Sequence, residues 1–225
     1  MRVRRWLAPL GIIVALGLLA GCGDQSTGNG YVTNVQTHDG DGMSGIVLPR
    51  PYHVPAVTLR DTEGAPYDLR TDTTKPLTLV FFGYTNCPDI CQVVMAQIAS
   101  AVTRLDPADR HRVQVLFVTT DPARDTRDVL RRYLDRLNPA FDGLTGSMSA
   151  ITRAGAALGV EIQKGQKLPG GGYDVTHGTD VIGVEPGGTA PIVWTQSTTT
   201  AQLAADLHRI LHGGIPTHNT SGSGS

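Results

Sequence analysis

The stretch FFGYTNCPDICQVVMAQIA, residues 81–99, places Cys87 and Cys91 four residues apart, where a strand-like apolar run gives way to a helix-like one. The chain holds only three cysteines, so two of them at one junction ask for an explanation. Side chains four apart on a helix share a face, so Cys87 on the loop and Cys91 on the helix can converge. Pro88 suits the first turn of that helix, where its missing N–H costs nothing, and a helix N-terminus favours a thiolate beside it. Two thiolates are a soft donor set suited to Cu(I) or Zn(II). The same pair could close a disulfide. It could also be buried and inert, or a local staple, although so short a loop adds little stability. The spacing is one residue longer than the C-x-x-C of thioredoxin-type redox enzymes.

A metal held by the pair needs a further ligand, and the chain has seven histidines. His38 falls in a glycine-rich N-terminal segment, His218 in the C-terminal tail, and His53 and His111 at the borders of elements. His208 and His212 stand four apart on the last helix and can share a face, which reads as solvated. His177 lies in GGGYDVTHGTDVIGV, after a glycine-rich loop and just before a strand. Its position makes it the candidate third ligand. Asp89 and Asp121 are the nearest acids, candidates to tune the site or simply to serve a helix cap and a turn.

Several elements must position these groups. PAVTLRDTEGAPYDLR (55–70) alternates about a turn signal and reads as a hairpin. PLTLVFFGY is a continuous apolar run, a central buried strand. Val93, Val94, Ile98, Ala101, Val102 and Leu105 recur at helical spacing. RVQVLFVTTDP is a second buried strand. DTRDVLRRYLDRL is an amphipathic helix with acids at the end its dipole favours. A helix capped by Ser147 ends at Gly159, DVIGVEPGGTAPIVWT turns at EPGG, and a last helix stops before Gly213. This order implies a mixed sheet with helices on both faces. It suits a thioredoxin-like α/β fold with an extra N-terminal β-hairpin and a hairpin insertion. The cysteines then sit at the carboxyl end of a central strand, where ligands bind in open α/β sheets. In that layout the His177 loop faces the cysteine turn.

The N-terminus carries Arg2, Arg4 and Arg5, an apolar stretch over 6–20, and LLAGC ending at Cys22. That is the build of an export signal, too short for a bilayer span, and LLAGC resembles a bacterial lipobox. The resemblance implies a leader over 1–21 and lipid on Cys22; composition then reads as a Gly-, Asn-, Ser- and Thr-rich tether over 22–50, the folded domain over 51–212 and a tail of similar make-up over 213–225. The lipobox resemblance places the domain on the extracytoplasmic face of the membrane, where disulfides persist. Without the leader, basic residues fall from 19 to 16 against 20 acidic ones, and a formal net charge of −1 becomes −4. A mildly acidic domain gives no reason to expect nucleic-acid binding.

FFGYTNCPDIC, VQVLFVTTDPARDT and GGYDVTHGTDVIGVEPGG together resemble the Sco/SenC family, over about residues 55–211. The resemblance implies a copper site made by Cys87, Cys91 and His177, with a redox disulfide between the same cysteines. It also implies delivery of copper to the dinuclear site of cytochrome c oxidase subunit II, or reduction of that site's cysteines, with copper carriers or thiol reductants as other partners. Asn86, Gln92 and Gly178 depart from the family's commonest residues without removing a ligand. Two other classes compete. A general thiol–disulfide oxidoreductase would carry C-x-x-C and a cis-proline where DVTHGTDVIGV has none. A surface lipoprotein binding some small solute would leave Cys87, Cys91 and His177 without a role.

Overall fold

Seven consecutive buried residues, Leu77–Gly83, form the middle of the main sheet; a strand covered on both faces needs an unbroken apolar run rather than an alternating one. The computed structural model describes residues 42–88, 90–167 and 173–216, with the backbone alone described over 164–167 and 173–177. Along the chain run β1 (Ile46–His53), β2 (Thr58–Asp61), β3 (Pro66–Asp68), β4 (Leu77–Gly83), α1 (Ile90–Arg104), α2 (Pro107–Arg110), β5 (Val113–Thr119), α3 (Arg127–Asp135), β6 (Asp142–Thr145), α4 (Met148–Ala157), β7 (Ile162–Lys167), β8 (Tyr173–His177), β9 (Val181–Val184), β10 (Thr189–Trp194) and α5 (Thr200–Gly213).

Eight strands make one sheet in the order β1-β10-β9-β4-β5-β6-β2-β3. β4 and β5 pair in parallel with Phe81 opposite Phe117, and β5 pairs in parallel with β6. The remaining pairings in this sheet are antiparallel, with β9 joining β4 through Val181 opposite Phe81. The Phe81 and Phe117 rings lie 6.1 Å apart, and Tyr133 of α3 packs 5.3 Å from Phe117. α1 packs against α5, and α3 against β6.

The expected hairpin at 55–70 is β2–β3, turning through Gly64 at φ 94°. The EPGG hairpin is β9–β10, with Gly187 and Gly188 at φ 87° and 86°, a conformation that disfavours any residue with a Cβ. Ser147 caps α4 by accepting the Ala150 N–H. Thr199 and Gln202 form a capping box on α5. α5 runs through Gly213, and Gly214, not Gly213, is the residue past its end.

Three elements differ from the sequence reading. β1 begins at Ile46, inside the segment expected to be tether through residue 50, and pairs antiparallel with β10. Pro49 and Pro51 obscure it as a strand, yet β1 is a sheet edge, the one place where prolines are tolerated. Its entry is pinned by buried Asp206 of α5, which accepts N–H bonds from Ser44 (2.9 Å), Gly45 (2.8 Å) and Trp194 Nε1 (2.9 Å). β6 is a four-residue strand between β5 and β2 that the sequence reading did not place. His177 ends β8, which pairs antiparallel with β7 in a separate two-stranded sheet; the glycine-rich residues 170–172 lie outside the described residues. The leader, Cys22, Asp89 and the last nine residues lie outside the described residues. Among the described residues no helix is long and apolar enough to cross a membrane.

Candidate metal centre

β4 ends at Gly83, and four residues later Cys87 begins the turn that leads into α1. Pro88 precedes the first helical residue, Ile90, so it stands just ahead of the first turn rather than within it. The Cys87 N–H donates to the Tyr84 carbonyl (3.2 Å), closing the turn. Cys91 sits in the first turn of α1, and its backbone N–H donates to Cys87 Sγ at 3.4 Å. The loop sulfur therefore takes one of the amides that a helix leaves without an internal partner. The two cysteines are thiols, not a disulfide. Cys87 is 6% exposed and Cys91 0%.

This geometry divides the chemistry between the sulfurs and corrects one expectation. The helix N-terminus was expected to favour the thiolate for the pair. Instead, hydrogen bonding with the Cys87 side chain, and then burial, push the Cys91 thiol well above its usual pKa, with the nearby Asp125 charge adding to the effect. The helix end serves Cys87, whose sulfur accepts the Cys91 amide, while burial and the neighbouring sulfur disfavour a thiolate on Cys91. Two adjacent buried sulfurs are a soft donor set for a cation such as Cu(I).

The acid that organises the loop is Asp125. It was expected at the start of the amphipathic helix, as a charge favoured by the dipole. The structure places it ahead of α3, whose cap is Thr126, and buries it completely. Its Oδ2 accepts the Thr85 N–H (2.9 Å) and the Thr119 hydroxyl (2.7 Å), and its Oδ1 accepts the Thr85 hydroxyl (2.6 Å). Asp125 thus ties the residues before Cys87 to the end of β5. Burial raises its pKa, against the lowering by the Thr85 and Thr119 hydrogen bonds. Asp121 is also buried and is ion-paired with Arg124, whose guanidinium lies 5.8 Å from the centre of the Tyr84 ring. Tyr133 completes the surroundings. Burial and then the fields of Cys91 and Cys87 raise its phenol, and its buried hydroxyl has no hydrogen-bond partner among the described residues.

His177 ends β8, its backbone paired with Ile162 of β7. Asp89 lies outside the described residues. His208 and His212 do not join the cysteines; they meet a different residue, Asp109. The sequence reading missed Asp125 and Tyr133. The signal available for Asp125 was its spacing four residues after Asp121, which places both acids in one turn (Asp125 N–H to Asp121 O, 2.9 Å).

A mixed α/β domain with two buried thiols at the carboxyl end of a central strand defines the class: a thioredoxin-like protein with a dithiol centre. The SCO1/SenC family model matches residues 50–212, and the chain belongs to that family. A Stutzerimonas stutzeri protein named for copper binding is 34% identical over 145 residues, 64% of this chain and 70% of its own length. Sco1 of Thermus thermophilus, solved as the apo protein, is 33% identical at a TM-score of 0.66, covering 75% of this chain and 96% of that one. ScoI of Bradyrhizobium japonicum, solved with copper bound, is 27% identical at a TM-score of 0.63, covering 70% and 98%. Against the yeast and zebrafish mitochondrial relatives it matches, the aligned region spans only 32% and 47% of their length.

Proposed function

We propose that the chain is an extracytoplasmic, lipid-anchored copper chaperone that delivers copper to the dinuclear site of cytochrome c oxidase subunit II. Copper is the cargo, held by the sulfurs of Cys87 and Cys91 and an imidazole nitrogen of His177. The observation that supports this most is the pair of buried sulfurs at one loop–helix junction, with the Cys91 N–H donating to Cys87 Sγ, a soft donor set for copper. The copper-bound Bradyrhizobium relative points the same way. Cys87, the more exposed sulfur, is the one an incoming partner thiolate reaches first. A buried Cys91 keeps hold of the cargo until a partner has engaged. Anchoring rests on Cys22 and the apolar leader, and Asp121 and Asp89 are proposed to tune the site from outside the ligand set.

The test is an anaerobic copper titration of the reduced protein, with metal counted after desalting. With Cu(I), the soft ion the sulfur pair suits, one copper per chain is expected for the dithiol form, and none retained by the oxidised form or by Cys87→Ser/Cys91→Ser. Equal retention by all three refutes the reading.

A second reading, reduction of the oxidase cysteines, is favoured by the same juxtaposition of two sulfurs. Cys87 thiolate would attack a partner disulfide, and Cys91 would lose its proton and displace the mixed disulfide. The partner then leaves with two thiols, and Cys87–Cys91 is left oxidised. His177→Ala separates the two. It should abolish oxidase copper loading in cells if delivery is the role, and leave loading normal at normal protein abundance if reduction is.

A further inference from the structure

At the other end of α1 from the cysteines, two histidines and a buried carboxylate converge on one point. His208 Nδ1 lies 2.9 Å and His212 Nε2 3.0 Å from the same oxygen, Asp109 Oδ2. The imidazoles stand one turn apart on α5 with ring centres 4.4 Å from each other, and all three ligand atoms lie within 4.8 Å of one another. The histidine side chains are 61% and 54% exposed, whereas that of Asp109 is almost wholly buried. The carboxylate is fixed in this orientation. Arg112 Nη1 holds Oδ1 at 3.3 Å while its Nη2 donates to the Leu211 carbonyl at 2.7 Å, leaving Oδ2 to the histidines. Burial opposes ionisation of Asp109, but the hydrogen bonds from His208 and His212 prevail and hold its pKa below the usual value.

We propose that Asp109, His208 and His212 form a second metal site, for a divalent cation of borderline softness, with Cu(II) bound most tightly and Zn(II) next. Two imidazoles and one carboxylate are the nitrogen–oxygen set that such ions prefer, and the Irving–Williams order places Cu(II) first. Ligand atoms about 2.0–2.1 Å from a tetrahedral ion stand roughly 3.3 Å apart, so for Zn(II) each exposed imidazole needs to open from Asp109 by only a few tenths of an ångström, with the two ring nitrogens, within 4.8 Å of one another, adjusting to the same spacing. An imidazole binds the ion through the nitrogen that faces Asp109, with any ring hydrogen on the outward nitrogen. The open side leaves room for water as the remaining ligand. The position near the C-terminus of α5 favours a cation through the helix dipole, whereas the Arg112 guanidinium works against it. α1 has 15 residues and a rise of about 1.5 Å per residue, about 22 Å in all, so this site is separate from the cysteine pair. An ion here would clip the end of α5 to the α1–β5 connection.

The test uses the full-length protein in detergent carrying Cys87→Ser and Cys91→Ser, so that the sulfur pair is silent. Titration with Cu(II), and separately with Zn(II), is followed by calorimetry and thermal melting, and Cu(II) also by electron paramagnetic resonance. One ion per chain is expected, with two-nitrogen hyperfine structure for Cu(II) and a metal-dependent rise in Tm. His208→Ala and His212→Ala, both at exposed positions and checked for folding by their metal-free melting, should each weaken binding by more than about a hundredfold, the upper range for loss of a mere supporting partner. They should also abolish the Tm rise. Undiminished affinity and an unchanged spectrum in the His208→Ala/His212→Ala double variant would overturn the proposal, as would no binding by the parent.

Discussion

Asp125→Ala tests whether the cysteine loop is held from below. The carboxylate accepts three hydrogen bonds in a fully buried setting. In alanine the Thr85 hydroxyl, on a partly exposed residue, can turn to water, whereas the Thr85 N–H and the Thr119 hydroxyl lose their acceptor. Each buried donor so orphaned costs about 1–3 kcal/mol. Relief of the buried charge offsets part of this, leaving a net loss of about 2–4 kcal/mol. At about 2–4 °C per kcal/mol for a domain of this size, the melting temperature should fall by about 10 °C. With Thr85 released, the turn before Cys87 loosens, and copper affinity, read by competition titration of the reduced protein, should drop about 10–100-fold. Asp125→Asn keeps an acceptor oxygen without the charge and should cost under about 1 kcal/mol. The pH dependence carries a sign. The folded pKa of Asp125 is raised, so its contribution is fully present below the ordinary unfolded value and is lost as pH rises through the folded pKa. Wild type should therefore lose stability relative to Asp125→Asn over that climb. An alanine variant melting within about 2 °C of wild type, or an asparagine variant as damaged as alanine, refutes the reasoning.

Two further outcomes follow from buried polar groups. Tyr133→Phe removes a buried hydroxyl that has no partner among the described residues, so the melting temperature should stay level or rise. A destabilisation above about 1 kcal/mol in denaturant unfolding would show that the hydroxyl is bonded after all. Asp206→Ala strips the acceptor from Ser44, Gly45 and Trp194 and should cost about 2–4 kcal/mol. Amide exchange should quicken first along β1, and unchanged protection there would show that Asp206 does not hold that strand.

Most of the sheet's centre was legible because its signals are local. β4 announces itself as an apolar run between Pro76 and Tyr84, α1 by its periodicity, and the β9–β10 turn by two glycines that adopt positive φ. The edges were not legible. β1 is held by partners about 140 residues away in β10 and by Asp206 in α5, and nothing near Ile46 signals either. β6 has only four residues, too few for a period to show, and its place between β5 and β2 is a property of the assembled sheet.

The same division runs through the two sites. Cys87 and Cys91 are four residues apart, close enough in sequence to suggest that they converge, and the structure adds that Cys87 stands on the loop ahead of α1 and accepts the Cys91 amide. His208 and His212 share that spacing and were read as a solvated face, because the residue that gives them a common target lies 99 residues earlier in the chain. Asp109, in the four-residue α2, drew no attention in the sequence; buried, with Arg112 on its Oδ1, it becomes an acceptor for both rings. Close spacing supplies pairs of donors, and a third has to come from elsewhere in the fold. The third group is therefore where each proposed site should be tested hardest: the proposed ligand His177 for the sulfur pair, and Asp109 for the histidines. Asp109→Asn keeps an oxygen able to accept from one imidazole while removing the charge that draws the ion. It should hold the fold more nearly than alanine would and still weaken Cu(II) binding. An asparagine variant that binds Cu(II) like wild type would show that the two imidazoles suffice and that the carboxylate serves only to dock α5.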